Sequence, residues 1–433
     1  MDDSFSACLP HPFYTDHVIY HAHAKGLAVP TLRAWAFNGW RDEALSWRKT
    51  CYIHAGLSGT GPVSIKGPQA KEYLQGLVIN SLENFPVGAM KHAVQCDENG
   101  LISAHGIVSR LAEDHFESWA GGPPGPTPMR DVGYDVEIAV EDKFLFQIAG
   151  PTSLQVLEKA TGESLRDLKF LRFRDTKVAG LRCEIARLGM SGSLAYELHG
   201  PMEDAAAIYD AVYEAGKEFG IERLGWGTYL VNHVEGGFPQ HTWTFISSLP
   251  EAKWPRAMRR WEVSGSVDPM ELRPRLRTPV EVRWENMARF DHDFIGRDAL
   301  EAEMANPKRR TVTLRWNPDD VLDVFASLMR DGEPYKSFDF PYSPQRWPMA
   351  HADHVTKGGK SVGWSSGTIY SVYFHDYLSH GCLDLDVTDI GEEVVVHWGD
   401  HGGPIKEIRA TVERFPYFNK GRNSDIDVSK LPL

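Results

Sequence analysis

Two regimes of hydrophobic patterning divide the chain. As far as about residue 305, short apolar runs of strand type alternate with stretches whose apolar positions recur three or four apart, the signature of amphipathic helices. One unit occurs twice: Ile65-Lys66-Gly67-Pro68-Gln-Ala70-Lys-Glu-Tyr-Leu74 is echoed by Ile148-Ala-Gly150-Pro151-Thr-Ser153-Leu-Gln-Val-Leu157. Both read as a strand, a Gly-Pro turn and a helix, and their equal spacing predicts a duplicated α/β unit. Residues 181–186 and 193–199 predict strands on either side of a glycine-rich turn. Between residues 203 and 219 the positions Ala207, Ile208, Ala211, Val212, Ala215 and Phe219 make one stripe, and Gly220 stands where a helix would be capped. Residues 239–276, rich in Trp, Pro and Arg, have no period and predict a long irregular loop.

From about residue 310 the pattern changes to short β-type runs at 311–316, 362–364, 381–387, 393–398 and 406–412, separated by turn residues. This predicts an all-β domain. The organisation expected is a core of residues 1–305, a barrel of residues 306–418 beginning after Asn306-Pro307, and a poorly ordered tail of residues 419–433.

Composition narrows the function. A chain of 433 residues with 59 acidic and 46 basic side chains carries a formal charge of −13, which excludes a general phosphate-backbone binder. Its N-terminus lacks a signal-type apolar stretch, and no run approaches the about 20 apolar residues that span a bilayer. A cytoplasmic protein with no membrane or nucleic-acid partner is expected. The cysteines Cys8, Cys51, Cys96, Cys183 and Cys382 are scattered without a C-x-x-C pair, so reduced, buried thiols are expected. The histidine groups His17, His21, His23 and His351, His354 lack the further ligands of a metal set, and no metal is expected.

Several motifs fail in context. Gly358-Gly-Lys-Ser361 resembles the end of a phosphate loop, but His354 takes the place of the first glycine; no G-x-G-x-x-G follows a strand, and no D-x-H-x-x-G corrinoid signature is present. Gly363-Trp-Ser365-Ser-Gly367 matches a nucleophile elbow in form. Residues 368–374, directly after it, are β-branched and aromatic rather than helical, so Ser365 is not expected to be a nucleophile.

The segment Arg187-Leu-Gly189-Met-Ser-Gly192-Ser-Leu-Ala-Tyr196-Glu197, followed by Gly225-Trp-Gly-Thr-Tyr229-Leu-Val-Asn-His-Val-Glu235, resembles the glycine-cleavage T-protein superfamily. The two Gly-Pro echoes, Phe290 to Leu300, and the Gly363 to Gly367 turn extend the resemblance over about residues 40–415. Within it, Trp40-Arg41 with Trp47-Arg48, Phe146-Gln147-Ile148, and the run from Phe290 through Asp319-Asp320 to Leu328 are most similar to the tetrahydrofolate-dependent aromatic O-demethylases acting on vanillate and syringate. The resemblance implies an α+β, T-protein-like fold: two ferredoxin-like α/β units plus a C-terminal antiparallel β-barrel around a central folate channel. It implies tetrahydrofolate as cofactor, a small aryl methyl ether as substrate, and methyl transfer to folate N5. Other members of the superfamily imply aminomethyl transfer, N-demethylation of a small amine, or folate binding without turnover.

By position, the resemblance makes Glu197 the pterin carboxylate, with Gln147, Tyr196 and Arg187 in the cofactor set; Gln147 is equally placed to serve the substrate. Tyr229 matches the tyrosine near the reacting methyl, where a hydroxyl would assist departure of a phenolate, or it is a packed core tyrosine. His105 stands where the superfamily has an acid. An imidazole of ordinary pKa about 6.5 can take the N5 proton there, or it lines the aryl pocket. The vanillate-type enzymes carry a tyrosine pair where this chain has Leu27-Ala-Val29-Pro30, and an arginine at Gly121. Their loss implies a more apolar aryl ether, for instance a chlorinated methoxybenzoate such as dicamba, in a pocket with Phe238, His241, Trp243 and Val29. A substrate carboxylate would need His241, Trp243 or the arginines near Arg256.

Overall fold

The computed structural model describes residues 20–23, 32–58, 61–119, 121–123, 133–241, 243–248, 263–339 and 350–431. Two large sheets, a barrel and a small two-stranded sheet of Tyr20–His23 with Leu32–Ala36 organise them. In the larger sheet the order is Phe173–Val178, Leu181–Ala186, Ala195–Pro201, Lys143–Ala149, Cys51–His54 and Ile221–Arg223, with only the last pair parallel. The second sheet runs Met90–Cys96, Ile102–Ala112, His115–Trp119, Val63–Lys66 and Glu137–Val140. With their helices these sheets have ferredoxin-like character.

The period of two along each strand sorts side chains between two environments. Ile53, Phe144, Phe146, Ile148, Tyr196 and Leu198 pack in one core with residues of the helices Ser153–Thr161 and Ala205–Gly216. Their neighbours Tyr52, His54, Gln147, Glu197 and His199 point to the opposite face. There the sheets meet: the Trp119 ring stacks on His199 with centroids 4.2 Å apart. In the second sheet Ala93 and Val108 pack with the helix Ala70–Gln75, whereas His92 and His105 take the other face.

The two Gly-Pro echoes fold alike. Gly67 and Gly150 have φ of +131° and +136°, and a Cβ would come within 2.5 Å of the Asp135 carbonyl oxygen and 2.3 Å of the Thr50 carbonyl oxygen respectively. Only glycine allows both the conformation and the approach. The expected helix is present as Ala205–Gly216, flanked by single 3-10 turns and closed by Gly220 at φ +72°, but its buried face is Ala205, Ile208, Tyr209 and Val212, with Ala211 and Phe219 partly buried; Ala207 of the expected stripe is exposed.

The barrel closes through six antiparallel strands in the order Arg309–Trp316, Asp376–Asp384, Lys360–Ser371, Asp353–Lys357, Glu393–Trp398 and Lys406–Glu413. It is not purely β. A helix, Pro318–Ser327, packs Val321 and Val324 into the barrel core, started by Asn317, whose side chain accepts from the Asp319 and Asp320 backbone N–H groups. Ser365 lies inside the strand Lys360–Ser371, wholly buried, its hydroxyl donating to Ser379 Oγ at 2.8 Å. The nucleophile-elbow geometry is absent there.

The tail departs from expectation. Val428 joins the larger sheet's core, and the Arg187 guanidinium donates to the Asn423 and Ile426 carbonyls at 2.7 and 2.6 Å. The tail's polar composition conceals this anchoring, which relies on a distant arginine. Cys51, Cys96, Cys183 and Cys382 are free, buried thiols; Cys8 lies outside the described residues. Among the described residues no helix is long and apolar enough to cross a membrane, and no group of three or more His, Cys, Asp or Glu is placed to hold a metal.

Candidate active site

The polar face of the larger sheet supplies a row of groups that strand register alone brings together. Gln147 lies between His54 on one neighbour strand and Glu197 on the other. Its amide nitrogen donates to Glu197 Oε1 at 3.0 Å, while its own oxygen is buried without a hydrogen-bond partner among the described residues. Glu197, 5% exposed, also receives His199 Nε2 at 3.1 Å. Among the described residues neither arginine nor lysine forms an ion pair with it.

The helix Trp226–Gly236 crosses this face and is buried on every side; its one polar stripe, Thr228, Asn232 and Glu235, is met by Glu43, Tyr52 and Arg48 rather than by water. It carries Tyr229, whose ring stacks on His54 at 4.2 Å and 12° and meets Trp226 edge-on at 5.0 Å. Burial pushes the Tyr229 phenol well above its ordinary range, helped by Tyr52 and Glu197, while the Gln147 side chain opposes the shift. One turn on, His233 contacts Met190 Sδ at 3.0 Å, and burial draws it down to about 3.

The second sheet supplies the facing wall. His92 and His105 stack with centroids 5.5 Å apart and rings 9° from parallel. Trp284 lies 4.2 Å from His105, and Phe238 lies 5.5 Å from His105 and 6.0 Å from His92. Burial pulls His92 down to about 4 against the raising field of Glu197, and holds His105 well below its ordinary value, with His92 and His241 adding to the effect. His92 Nδ1 and His105 Nε2 are buried without hydrogen-bond partners among the described residues.

The expected site residues thus separate. Tyr229, Gln147 and Glu197 come together on one wall, and His105, Phe238 and His241 belong to the other. Trp243 turns to the barrel, 5.9 Å from His351 and beside Gly367. Tyr196 points away from Glu197, into the helix-covered core, because adjacent strand residues take opposite faces. Arg187 is engaged by the tail. Val29, with the segment 27–30, and Arg256 lie outside the described residues, as does His17. Sequence reasoning missed His54, His92, Trp119 and His199; each stands on a different strand, so no local motif joins them.

These residues fit a reduced pterin. A ring amide N–H and an exocyclic amine are donors, and the site offers acceptors: a buried carboxylate with only an amide and an imidazole against it, and the unpartnered Gln147 oxygen.

The fold and this site define a T-protein-like folate enzyme. The GCVT N-terminal domain family matches residues 9–243, and the chain belongs to that family. It is 38% identical over 421 residues to the sesamin methylene transferase of Sinomonas sp. (strain No.22), covering 92% of each chain. To the syringate O-demethylase of Sphingobium sp. (strain NBRC 103272 / SYK-6) it is 30% identical over 423 residues, covering 90% of this chain and 91% of the other. In fold it matches the glycine cleavage system aminomethyltransferase T from Bartonella henselae with a TM-score of 0.70 at 17% identity, over 96% of this chain and 99% of that one. The chain is an enzyme of this superfamily, and its cofactor is tetrahydrofolate.

Proposed function

We propose that the protein transfers the methyl group of an aryl methyl ether to N5 of tetrahydrofolate, giving a phenol and 5-methyltetrahydrofolate. The observation that carries this reading is the placement of Tyr229: a fully buried phenol that retains its proton, set beside the Gln147–Glu197 pair. When bound, tetrahydrofolate supplies N5 as the nucleophile. Glu197 and Gln147 accept from the pterin's N–H groups and fix the ring. Tyr229 donates to the ether oxygen; the dry surroundings that hold its proton also raise the proton affinity of a leaving phenolate, so the two remain matched. His105, kept neutral by burial, offers Nε2 as acceptor for the N5 proton. The core of residues 1–305 holds this channel, and the barrel of residues 306–418 closes it.

Methoxybenzoates, dicamba among them, would need a donor for the carboxylate, for which His241, Trp243 and the arginines near Arg256 are the sequence candidates. Similarity to a sesamin methylene transferase favours a second reading at the same site: transfer of the bridging carbon of a methylenedioxy ring to N5 and N10 of tetrahydrofolate, whose two protons pass to the oxygens, giving a catechol and 5,10-methylenetetrahydrofolate. Anaerobic incubation of the purified protein with tetrahydrofolate and a panel of methoxy- and methylenedioxyarenes tests both. The first requires phenol and 5-methyltetrahydrofolate in equal amounts, the second a catechol and 5,10-methylenetetrahydrofolate in equal amounts, and formation of neither product pair from any arene would refute both.

A further inference from the structure

We propose that His199 is a positioning residue for the cofactor: together with Gln147 it fixes the plane of the Glu197 carboxylate, so that both carboxylate oxygens are aimed at the two donors of the pterin. The inference rests on the reading of Glu197 as the pterin carboxylate and adds to it the group that aims it.

A glutamate carboxylate turns about its last torsion in a broad, roughly two-fold well. Glu197 by itself would therefore present its oxygens to a ligand in a range of orientations. Two donors remove that freedom. Gln147 Nε2 donates to Oε1 at 3.0 Å, and His199 Nε2 lies 3.1 Å from Oε2, so each oxygen has its own partner. A carboxylate only accepts, which places the proton of the second bond on His199 Nε2. Each oxygen keeps a further lone pair, and two acceptors side by side are what a ring N–H next to an exocyclic amine requires.

His199 can aim a carboxylate only if its own ring is held, and it is held from three directions. It stands two residues beyond Glu197 in the strand Ala195–Pro201, and so on the same face. From the second sheet the buried Trp119 stacks on its ring at 4.2 Å and 27°. In the adjacent strand Glu184 is its direct cross-strand partner, close enough that His199 opposes the rise that burial imposes on the Glu184 carboxyl. Through the stacked pair the second sheet bears on a carboxylate that the first sheet carries. The alignment of the folate site is thereby tied to the packing of one sheet on the other.

Anaerobic titration of the full chain with tetrahydrofolate, read by calorimetry, tests this without any aryl substrate. His199→Gln carries an amide nitrogen to the place of Nε2, whereas the shorter His199→Asn carries it only to the place of Nδ1; both lose the ring that stacks on Trp119. The Kd is expected to stay within about threefold of the wild-type value in His199→Gln and to rise about tenfold in His199→Asn, the scale of one hydrogen bond to a charged group. His199→Phe, which keeps an aromatic ring and loses the donor, is expected to match His199→Asn. Added to Glu197→Ala, His199→Phe is expected to cost less than about threefold more, because no carboxylate is left to aim. Equal Kd values for the Gln and Asn variants overturn the positioning role and leave Glu197 as the pterin carboxylate, as does an undiminished loss from His199→Phe in the Glu197→Ala background. Glu197→Ala that binds tetrahydrofolate as tightly as the wild-type protein overturns the reading of Glu197, and the role of His199 with it.

Discussion

Tyr229 is buried completely, so its hydroxyl can act only on what enters the space between the two sheets. Replacing it by phenylalanine keeps the ring stacked on His54 and removes only the donor. Tyr229→Phe is expected to lower kcat by about 10²- to 10⁴-fold, the ordinary worth of a positioned acid, while the folate Kd measured by fluorescence quenching stays within a few-fold. Glu197→Gln changes the other end of the site. It turns an acceptor-only group into one that presents a donor to the pterin, and folate affinity is expected to fall about tenfold or more, the scale of a charge-assisted hydrogen bond. Part of this site was legible in the sequence. Gln147 and Glu197 sit beside glycine turns whose spacing is a recognisable pattern, and Tyr229 follows a glycine that opens a helix. Their partners were not legible. His54, His92, Trp119 and His199 come from four strands, and only long-range register sets them against one another. Tyr196 shows the complementary error: it neighbours Glu197 in sequence and so cannot share its face.

Glycine turns define the elements of the α/β core. Gly150→Ala would force a side chain into φ +136° and toward the Thr50 carbonyl. It is expected to cost about 1–3 kcal/mol, read as a lowered denaturation midpoint, whereas Gly403→Ala, with only the Asp400 carbonyl at 3.3 Å and no left-handed φ, should change it little. The barrel strands were readable because β-branched residues recur within them, as in Glu393–Trp398. The strand Asp353–Lys357 was not, since four of its five residues are polar and its pairing with Lys360–Ser371 determines its state. The helix Pro318–Ser327 did leave a signal, Asn317-Pro318-Asp319-Asp320, a capping residue with proline and acids in the first turn. The surrounding β-type runs masked it.

One buried ion pair ties the whole molecule together. Arg48 Nη2 lies 3.0 Å from Glu235 Oε2, with both side chains at most 1% exposed. The pair also engages Trp47 Nε1, the Ser191 carbonyl, Ser371 Oγ of the barrel, and the Phe418 ring just before the tail. Glu235→Ala leaves Arg48 uncompensated and is expected to cost about 3–5 kcal/mol, with loss of the folate site as the glycine turn before Tyr196 loosens. The protein's pH response is also a whole-molecule property. Burial holds His92, His241 and His380 at about 4 and His233 and His351 at about 3, against about 6.5 in an unfolded chain. The unfolded chain binds more protons between those values, so stability is complete above about pH 6.5 and declines as pH falls toward 3. Asp353, pushed up to about 7 by burial, works in the opposite sense and loses its contribution as pH rises through that value. Burial also lowers His105, His115 and His354 and raises Glu43, Glu184 and Glu303; the lowered imidazoles outnumber the raised carboxyls, and the unfolding temperature is expected to fall between pH 7 and pH 5.

Following the transferred carbon distinguishes methyl transfer to folate from hydrolysis or oxidation of the ether. With tetrahydrofolate and a methoxyarene carrying ¹³C in its methyl group, one turnover read by carbon NMR is expected to place the label on N5 as a methyl signal, in equal amount with the phenol. Label recovered as methanol or formaldehyde, or phenol released without labelled folate, would contradict it.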